Sequence, residues 1–304
     1  MTINCKGNLI DLSSPKVMGI LNVTPNSFFD GGKHSDEKAI LIQVEKMLSE
    51  GATFIDIGGY SSKPSADFVS EEEELQRLLP VVQNVGKEFP EAIISIDTFR
   101  SKVAKETVEN GAAIINDISA GNLDDAMLET VSQLKVPYIM MHMKGTPQTM
   151  QSMAQYENIV KEMMFYFSER VAKARSLGIN DLIIDPGFGF AKTLEQNFEV
   201  LSKLELFQML ELPILAGLSR KSMIYKTLET SAEFALTICS PSMASIPCAP
   251  KSVETMHFPR AIPSRIFTLM PLPENKGTII IAFSFIKPMA SSISPKTLIL
   301  FWLL

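Results

Sequence analysis

The sequence predicts an α/β protein built as a single (β/α)8 barrel, and three observations support this fold class. Seven short runs rich in Ile, Val and Leu recur between residues 17 and 218. Amphipathic, charge-bearing stretches separate these runs, and apolar strands that alternate with helices are typical of a parallel sheet covered on both faces. No second composition class interrupts the units, which favours one barrel over two Rossmann halves.

The repeating units give the predicted elements in order. The strands are 17–22, 53–58, 92–97, 112–117, 137–142, 181–185 and 213–218. The helices are 36–50, 71–88, 101–110, 123–134, 155–177 and 193–207. Ser70 is followed three residues later by Glu73, a capping-box pattern that predicts a helix beginning at residue 71.

The segment after residue 236 differs from the rest of the chain. It holds nine of the 18 prolines, which forbid long helices, and six Lys or Arg against two acidic residues. Only 277–285 has the pattern of a strand. We predict a seven-unit barrel over 1–236 and an atypical segment over 237–304, whose composition suggests a shifted reading frame. Strand 8 and the last helices are expected to be replaced or poorly formed, leaving sheet edges exposed.

Composition narrows the functional classes. The net charge of −6 lacks the basic footprint that nucleic acid requires, so no nucleic-acid partner is expected. The apolar run TLILFWLL is far shorter than the roughly 20 residues that cross a bilayer, and the N-terminus has no signal-peptide core. Three cysteines without a CxxC pair fit a reducing compartment and no zinc cluster. These features predict a cytoplasmic protein in which any anionic substrate is held by a few local cations.

Polar side chains follow the predicted strands at the point where each strand ends. In a parallel barrel these C-terminal ends open on one face, so we expect one shared pocket. Its candidates are Asn22, Asp56, Asp97, Asn116, Asp117, His142, Asp185, Ser219, Arg220 and Lys221. Any single Asp or Asn can merely cap a helix or close a turn, and a structural role is favoured for Asp56, Asp117 and His142.

The remaining groups suit a flat heterocycle that carries several N–H donors. Carboxylates such as Asp97 and Asp185 accept paired N–H bonds, which is a strong and selective form of recognition. Phe188 and Phe190 are candidates for a stacking surface. No Ser-His or Cys-His nucleophile pair is evident in the sequence.

Seven ordered segments carry a specific family resemblance across roughly residues 5–236. They are GILNVTPNSFFDGG, DIGGYSSKP, SIDTFRSKVA, IINDISAG, MHMKGTPQTMQ, DPGFGFAKT and GLSRKS. In order and spacing they closely resemble the motifs of the dihydropteroate synthase family. The resemblance implies a folate-pathway transferase that joins 6-hydroxymethyl-7,8-dihydropterin diphosphate to 4-aminobenzoate and releases diphosphate. It also implies a homodimer, which the changed terminus places in doubt.

The resemblance carries roles over to single positions. Asn22 resembles the residue that helps hold Mg²⁺ on the diphosphate, and Ser62 and Lys63 stand beside the diphosphate and the aminobenzoate. Ser222 would meet the aminobenzoate carboxylate. The pterin-binding set would be Asp97, Asn116, Asp185 and Lys221, with Phe190 beside the ring, and Arg220 is a further substrate-binding candidate. Of these, Asp97, Asp185 and Lys221 are the catalytic candidates.

Three departures from the family pattern bear on activity. Asn26 replaces the usual Asp, and YSSKP replaces the commoner E-S-T-R-P, so that Lys63 cannot give the bidentate fork of Arg. The Arg-x-His motif that clamps the diphosphate in the family is missing after residue 236. We therefore expect low solubility and weak or absent turnover. Two alternatives remain open: a methyltetrahydrofolate-binding barrel of the methyltransferase type, and a non-catalytic pterin-binding remnant.

Overall fold

The computed structural model describes residues 1–23, 33–60, 68–219 and 221–227, together with the backbone of four short strands within 235–302. The strands are, in chain order, β1 (Thr2–Cys5), β2 (Asn8–Asp11), β3 (Lys16–Asn22), β4 (Phe54–Gly58), β5 (Ile93–Asp97), β6 (Ile114–Asp117), β7 (Tyr138–Met141), β8 (Leu182–Asp185), β9 (Ile214–Ala216), β10 (Ala235–Cys239), β11 (Thr268–Pro271), β12 (Ile279–Phe283) and β13 (Leu298–Trp302). Strands β3 to β9 and β13 pair in parallel and close a barrel. The predicted barrel fold is confirmed.

Helices follow most of the barrel strands, as the alternating pattern predicts. They are α1 (Lys33–Ser49), α2 (Glu71–Glu88), α3 (Ser101–Glu109), α4 (Met127–Leu134), α5 (Ile159–Ser176), α6 (Leu194–Ser202) and α7 (Ser222–Tyr225), with 3-10 turns at Met150–Met153 and Leu204–Leu210. The predicted start at residue 71 is confirmed, and Ser70 Oγ accepts the backbone N–H of Glu73 at 3.2 Å. Helix α5 begins four residues later than predicted because Asn158 caps it, accepting the N–H of Lys161.

The eighth strand of the barrel comes from the atypical C-terminal segment. Strand β13 pairs with β3, where Ile299 lies opposite Lys16, and with β9, where Leu298 lies opposite Ile214. The predicted strand at 277–285 is β12, but it pairs with β10 and β11 in a separate sheet. Strand 8 is therefore replaced as expected. The expectation of exposed edges on the barrel sheet is wrong, because β13 pairs on both sides.

A β-hairpin that the sequence analysis did not predict closes the N-terminal end of the barrel. Strands β1 and β2 pair antiparallel. The buried side chains of Ile3, Cys5 and Leu12 pack against Met18 and Phe54, which point into the barrel. The interior is thus sealed by apolar groups at this end. None of the described helices is both long enough and apolar enough to cross a membrane.

Candidate active site

Side chains from adjacent strands meet at one level of the C-terminal mouth. The register places Asn22 beside Gly58, Gly58 beside Asp97, and Asp97 beside Asn116. Because neighbouring strands lie about 4.8 Å apart, these four residues form a continuous arc. A Cβ atom on Gly58 would lie 3.5 Å from Asp97 Oδ2 and 3.7 Å from Asn22 Oδ1. A Cβ at these distances would be in ordinary van der Waals contact, so Gly58 leaves a notch about the size of one methyl group between an amide and a carboxylate.

A buried network one layer below this arc orients Asn116. Asp56 accepts hydrogen bonds from Ser95 Oγ at 2.6 Å and from Asn116 Nδ2 at 3.0 Å. Burial raises the pKa of Asp56 to about 6, although both donors favour the carboxylate. The amide nitrogen of Asn116 is committed to Asp56, so the orientation of this side chain is set before any ligand arrives.

Asp117 has the structural role that was favoured for it. Its Oδ1 accepts the backbone N–H and the hydroxyl of Ser119, each at 2.7 Å. Its Oδ2 accepts the N–H of Gly121 at 2.7 Å and the hydroxyl of Tyr138 at 2.6 Å. Four donors satisfy this fully buried carboxylate and hold the turn after β6. Asp117 therefore stabilises the fold.

Asp97 lies in a region crowded with negative charge. Burial raises its pKa well above the ordinary range, and the carboxylates of Asp56, Glu74 and Asp117 raise it further, while Lys221 opposes the shift. A carboxylate in such surroundings is stabilised by any donor that enters the pocket. Asp97 is thus well placed to bind a cation or a group with N–H donors.

Asp185 stands at the end of β8 and holds the turn that follows. Its Oδ1 accepts the N–H of Gly187 at 2.7 Å. Gly187 has a φ of +65°, and a Cβ atom there would lie only 2.4 Å from the carbonyl oxygen of His142. Only glycine fits this position, because a side chain would be strained and would collide with backbone. Burial raises the pKa of Asp185 to about 6.

Lys192 is a buried cation that the sequence analysis did not single out. Its Nζ donates to the carbonyl oxygens of Gly187 and Phe190, both at 3.0 Å, and lies 3.1 Å from His142 Nδ1. Burial lowers the pKa of Lys192 to about 7. His142 is 2% exposed, which confirms the prediction of a satisfied core histidine. Lys192 fastens the turn of residues 187–190 to the end of β7.

Lys221 and Phe190 form the opposite wall of the pocket. The Nζ of Lys221 lies 4.8 Å from the centre of the Phe190 ring. Burial lowers the pKa of Lys221, and the carboxylates of Asp185 and Asp97 oppose that shift. A single ammonium therefore interacts with both predicted pterin carboxylates. The expectation that Phe188 also offers a stacking surface is wrong, because Phe188 is 1% exposed and packs in the core between sheet and helices.

The structure brings together most of the predicted site residues. Asn22, Asp97, Asn116, Asp185, Phe190 and Lys221 lie around the same mouth, and Ser222 is exposed at the start of α7. Ser62, Lys63 and Arg220 lie outside the described residues. Sequence reasoning missed Ser95 and Lys192, and the signal for Lys192 was a lysine inside the glycine-rich stretch GFGFAKT.

An α/β barrel whose mouth carries buried carboxylates, a fixed amide and one shared ammonium defines a barrel enzyme that recognises a polar heterocycle. Comparison with known proteins gives the family. A family model described as "Pterin binding enzyme" matches residues 18–247. The dihydropteroate synthase of Escherichia coli K12 is 44% identical over 226 residues, which cover 74% of this chain and 79% of that protein. That of Haemophilus influenzae is 46% identical over 231 residues, covering 75% and 83%.

Solved structures agree with the sequence comparison. The dihydropteroate synthase of Yersinia pestis, crystallised with a sulfonamide drug, aligns with a TM-score of 0.71 and 41% identity over 77% of this chain and 85% of its own. The Xanthomonas albilineans enzyme in complex with 7,8-dihydropteroate aligns with a TM-score of 0.66 and 37% identity, covering 75% and 82%. The chain belongs to the pterin-binding enzyme family, among the dihydropteroate synthases.

Proposed function

We propose that this chain condenses 6-hydroxymethyl-7,8-dihydropterin diphosphate with 4-aminobenzoate, forming dihydropteroate and diphosphate in the cytoplasm. The arc of Asn22, Gly58, Asp97 and Asn116 at one level of the mouth is the observation that carries the proposal. It presents a carboxylate and a fixed amide to the edge of one flat ligand, and such a ligand needs several hydrogen-bonding atoms along that edge.

Each residue of the pocket has a part in the proposed reaction. Asp185 and Asn116 hold the pterin ring in place, while Phe190 and the ammonium of Lys221 border it on the opposite side. The negative charge of Asp97 stabilises the positive charge that develops on the pterin methylene carbon as diphosphate departs. The arylamine then attacks that carbon. This route needs no covalent enzyme intermediate, which fits a site built from carboxylates and amides.

The residues at the rim fit a magnesium ion. Mg²⁺ prefers oxygen ligands and is usually bound by one or two protein groups together with substrate phosphates and water. The exposed Asn22 offers an amide oxygen beside the notch that Gly58 leaves open. Among the described residues, no group of three His, Cys, Asp or Glu side chains is placed to hold a metal ion by itself. Diphosphate oxygens and water would complete the coordination. When bound, the ion neutralises part of the charge on the leaving diphosphate.

Two measurements on the full-length chain test the proposal. Calorimetry with the pterin diphosphate, with and without Mg²⁺, measures binding, and chromatography with added 4-aminobenzoate measures dihydropteroate. Binding that strengthens with Mg²⁺, followed by product, supports the proposal. Binding without product identifies a non-catalytic remnant. Binding of methyltetrahydrofolate in place of the pterin diphosphate identifies the methyltransferase-type alternative.

A matched pair of variants tests whether the measured activity depends on the pocket. Asp97→Asn removes the carboxylate that faces the notch, and Asp125→Asn removes an exposed carboxylate on the loop before α4, so both change the net charge equally. We expect Asp97→Asn to lower kcat by at least about a hundredfold, as removal of a group that stabilises transition-state charge commonly does. Equal activity of the two variants would refute the role given to Asp97.

A further inference from the structure

Arg100 makes an unusual number of contacts just beyond the strand that carries Asp97. Its Cζ lies 5.5 Å from the ring centre of Tyr60, 5.9 Å from that of Phe68 and 5.2 Å from that of Phe99. Its Nη2 donates to the carbonyl oxygen of Val69 at 2.6 Å. The guanidinium is thus surrounded by three aromatic rings, which attract it through their negative faces.

The same guanidinium forms a buried ion pair with helix α2. Its Nη1 donates to the carboxylate of Glu74, whose side chain is 1% exposed, while the side chain of Arg100 is 11% exposed. A buried pair of this kind is costly to break from one side, because the remaining charge is left without a partner. The side chain of Arg100 is therefore held in one position, whereas arginine side chains on protein surfaces are usually solvated.

The contacts of Arg100 come from both ends of one loop of the barrel. Tyr60 follows β4 directly, whereas Phe68 and Val69 lead into α2, and residues 61–67 connect them in the chain. Phe68 is 79% exposed, so packing in the core does not fix the position of its ring. The structure places that ring against the guanidinium of Arg100. The hydroxyl of Tyr60 also accepts a hydrogen bond from Gln148 Nε2 at 3.0 Å. One side chain thus joins the two ends of the β4–α2 loop.

We propose that Arg100 is a positioning residue that holds together the two described ends of the β4–α2 loop, Tyr60 on one side and Phe68 and Val69 on the other, just beyond the end of β5. Its functional part rests on the proposed function, because the family resemblance places Ser62 and Lys63 of this loop next to the diphosphate and the aminobenzoate. Tyr60 stands where the family pattern commonly has Glu, so its contact with Arg100 departs from that pattern. Arg100 acts through the loop and touches neither substrate.

The proposal predicts a selective kinetic effect. Arg100→Met removes the charge that both ends of the loop share, so we expect KM for aminobenzoate to rise about tenfold, in line with the loss of a desolvated cation–π contact and a charge-assisted hydrogen bond. Affinity for the pterin diphosphate is expected to weaken too, because the resemblance places the same loop beside the diphosphate. Affinity for 6-hydroxymethyl-7,8-dihydropterin, which lacks the diphosphate, is expected to stay within about twofold, because the strand ends that carry the pterin pocket are unchanged. A comparable loss of affinity for this pterin, or an unchanged KM for aminobenzoate, would overturn the kinetic part.

A second measurement does not depend on turnover. Hydrogen exchange, followed by mass spectrometry, reports on peptides that contain residues 58–60 or 68–70. We expect faster exchange in these peptides for Arg100→Met, and partial protection for Arg100→Lys. Unchanged exchange in Arg100→Met would overturn the positioning role. A wild-type chain that makes no dihydropteroate would defeat the proposed function, while the exchange experiment would still decide this inference.

Two further variants separate positioning from general destabilisation. Arg170→Met removes an arginine on α5 that donates to Asn122 Oδ1 at 2.7 Å, and we expect it to leave the loop peptides unchanged. Arg100→Met combined with Glu74→Gln avoids leaving a buried carboxylate without its partner. If this double variant is as stable as the wild type and still shows fast exchange at the loop ends, the inference stands. If its exchange returns to the wild-type rate, the inference fails.

Discussion

Replacing Asp185 with asparagine should stabilise the ligand-free protein while destroying pterin binding. Burial raises the pKa of Asp185 from an ordinary 3.8 to about 6, although the N–H of Gly187 and the ammonium groups of Lys221 and Lys192 favour its charged form. The net effect of these surroundings is therefore unfavourable to the carboxylate. A shift of about two pKa units corresponds to about 3 kcal/mol of folding free energy.

The sign of this effect follows from proton linkage. Because the folded state raises this pKa, the protein binds the proton more tightly when folded, and the contribution to stability is present below pH 4. It is lost as the pH rises through 6. Asparagine stays neutral at every pH and can still accept the N–H of Gly187 through its Oδ1. The free energy of unfolding of Asp185→Asn should therefore exceed that of the wild type by about 2–3 kcal/mol at pH 7.5, and by only about 1 kcal/mol at pH 4.5.

Urea unfolding at the two pH values measures this difference, and calorimetry with the pterin diphosphate measures the loss of binding. We expect affinity to fall at least about a hundredfold, since a buried ligand N–H would lose a charged acceptor. Asp125→Asn serves as the control, because it changes the net charge equally at an exposed position. A variant less stable than wild type at pH 7.5, or one that binds pterin normally, would show that Asp185 serves the fold.

Three further substitutions probe the frame of the pocket. Gly187→Ala should cost about 2 kcal/mol or more of stability, because alanine is strained at a φ of +65° and its Cβ would lie 2.4 Å from the carbonyl oxygen of His142; thermal unfolding measures it. Tyr138→Phe should cost about 1.5–3 kcal/mol in urea unfolding, because a buried carboxylate, Asp117, loses one of its donors, while pterin affinity stays unchanged. Lys192→Met should both lower the urea midpoint and weaken pterin binding in calorimetry, because two carbonyl oxygens of the turn lose their donor. Normal pterin affinity in Lys192→Met would show that the turn keeps its shape without the ammonium.

The seven central strands could be predicted from the sequence because each is buried on both faces and reads as an apolar run. The N-terminal hairpin was missed because its strands have four residues each, and only Ile3 and Cys5 of β1 are buried. Strand β13 was missed for a different reason. The apolar run TLILFWLL does not indicate which strands it pairs with. Its place beside β3 and β9 depends on pairs that lie 283 residues apart in the chain (Ile299 with Lys16) and 84 residues apart (Leu298 with Ile214).

The pocket was predictable where its residues end strands, and unpredictable where loops supply them. Asp97, Asn116 and Asp185 follow from topology alone, because parallel strands deliver their C-terminal ends to one face. Lys192 and Arg100 lie in turns, where a charged side chain is usually solvated. Their burial results from the conformation of the turn after β8 and from the packing of α2 on α3. The sequence shows a lysine inside the stretch GFGFAKT, but it gives no local sign that the side chain of Lys192 or of Arg100 is buried.

The electrostatics of the pocket point to one physical description. Burial raises the pKa values of Asp56, Asp97 and Asp185, and it lowers those of Lys192 and Lys221, so every shift favours the neutral form. The ligand-free pocket therefore holds charges that its surroundings do not fully stabilise. A heterocycle that brings N–H donors to the carboxylates supplies part of the missing stabilisation, and excludes water as it does so. Burying these charged groups reduces the stability of the folded barrel. Because the groups lack full stabilisation, they bind selectively a ligand that can form hydrogen bonds with all of them.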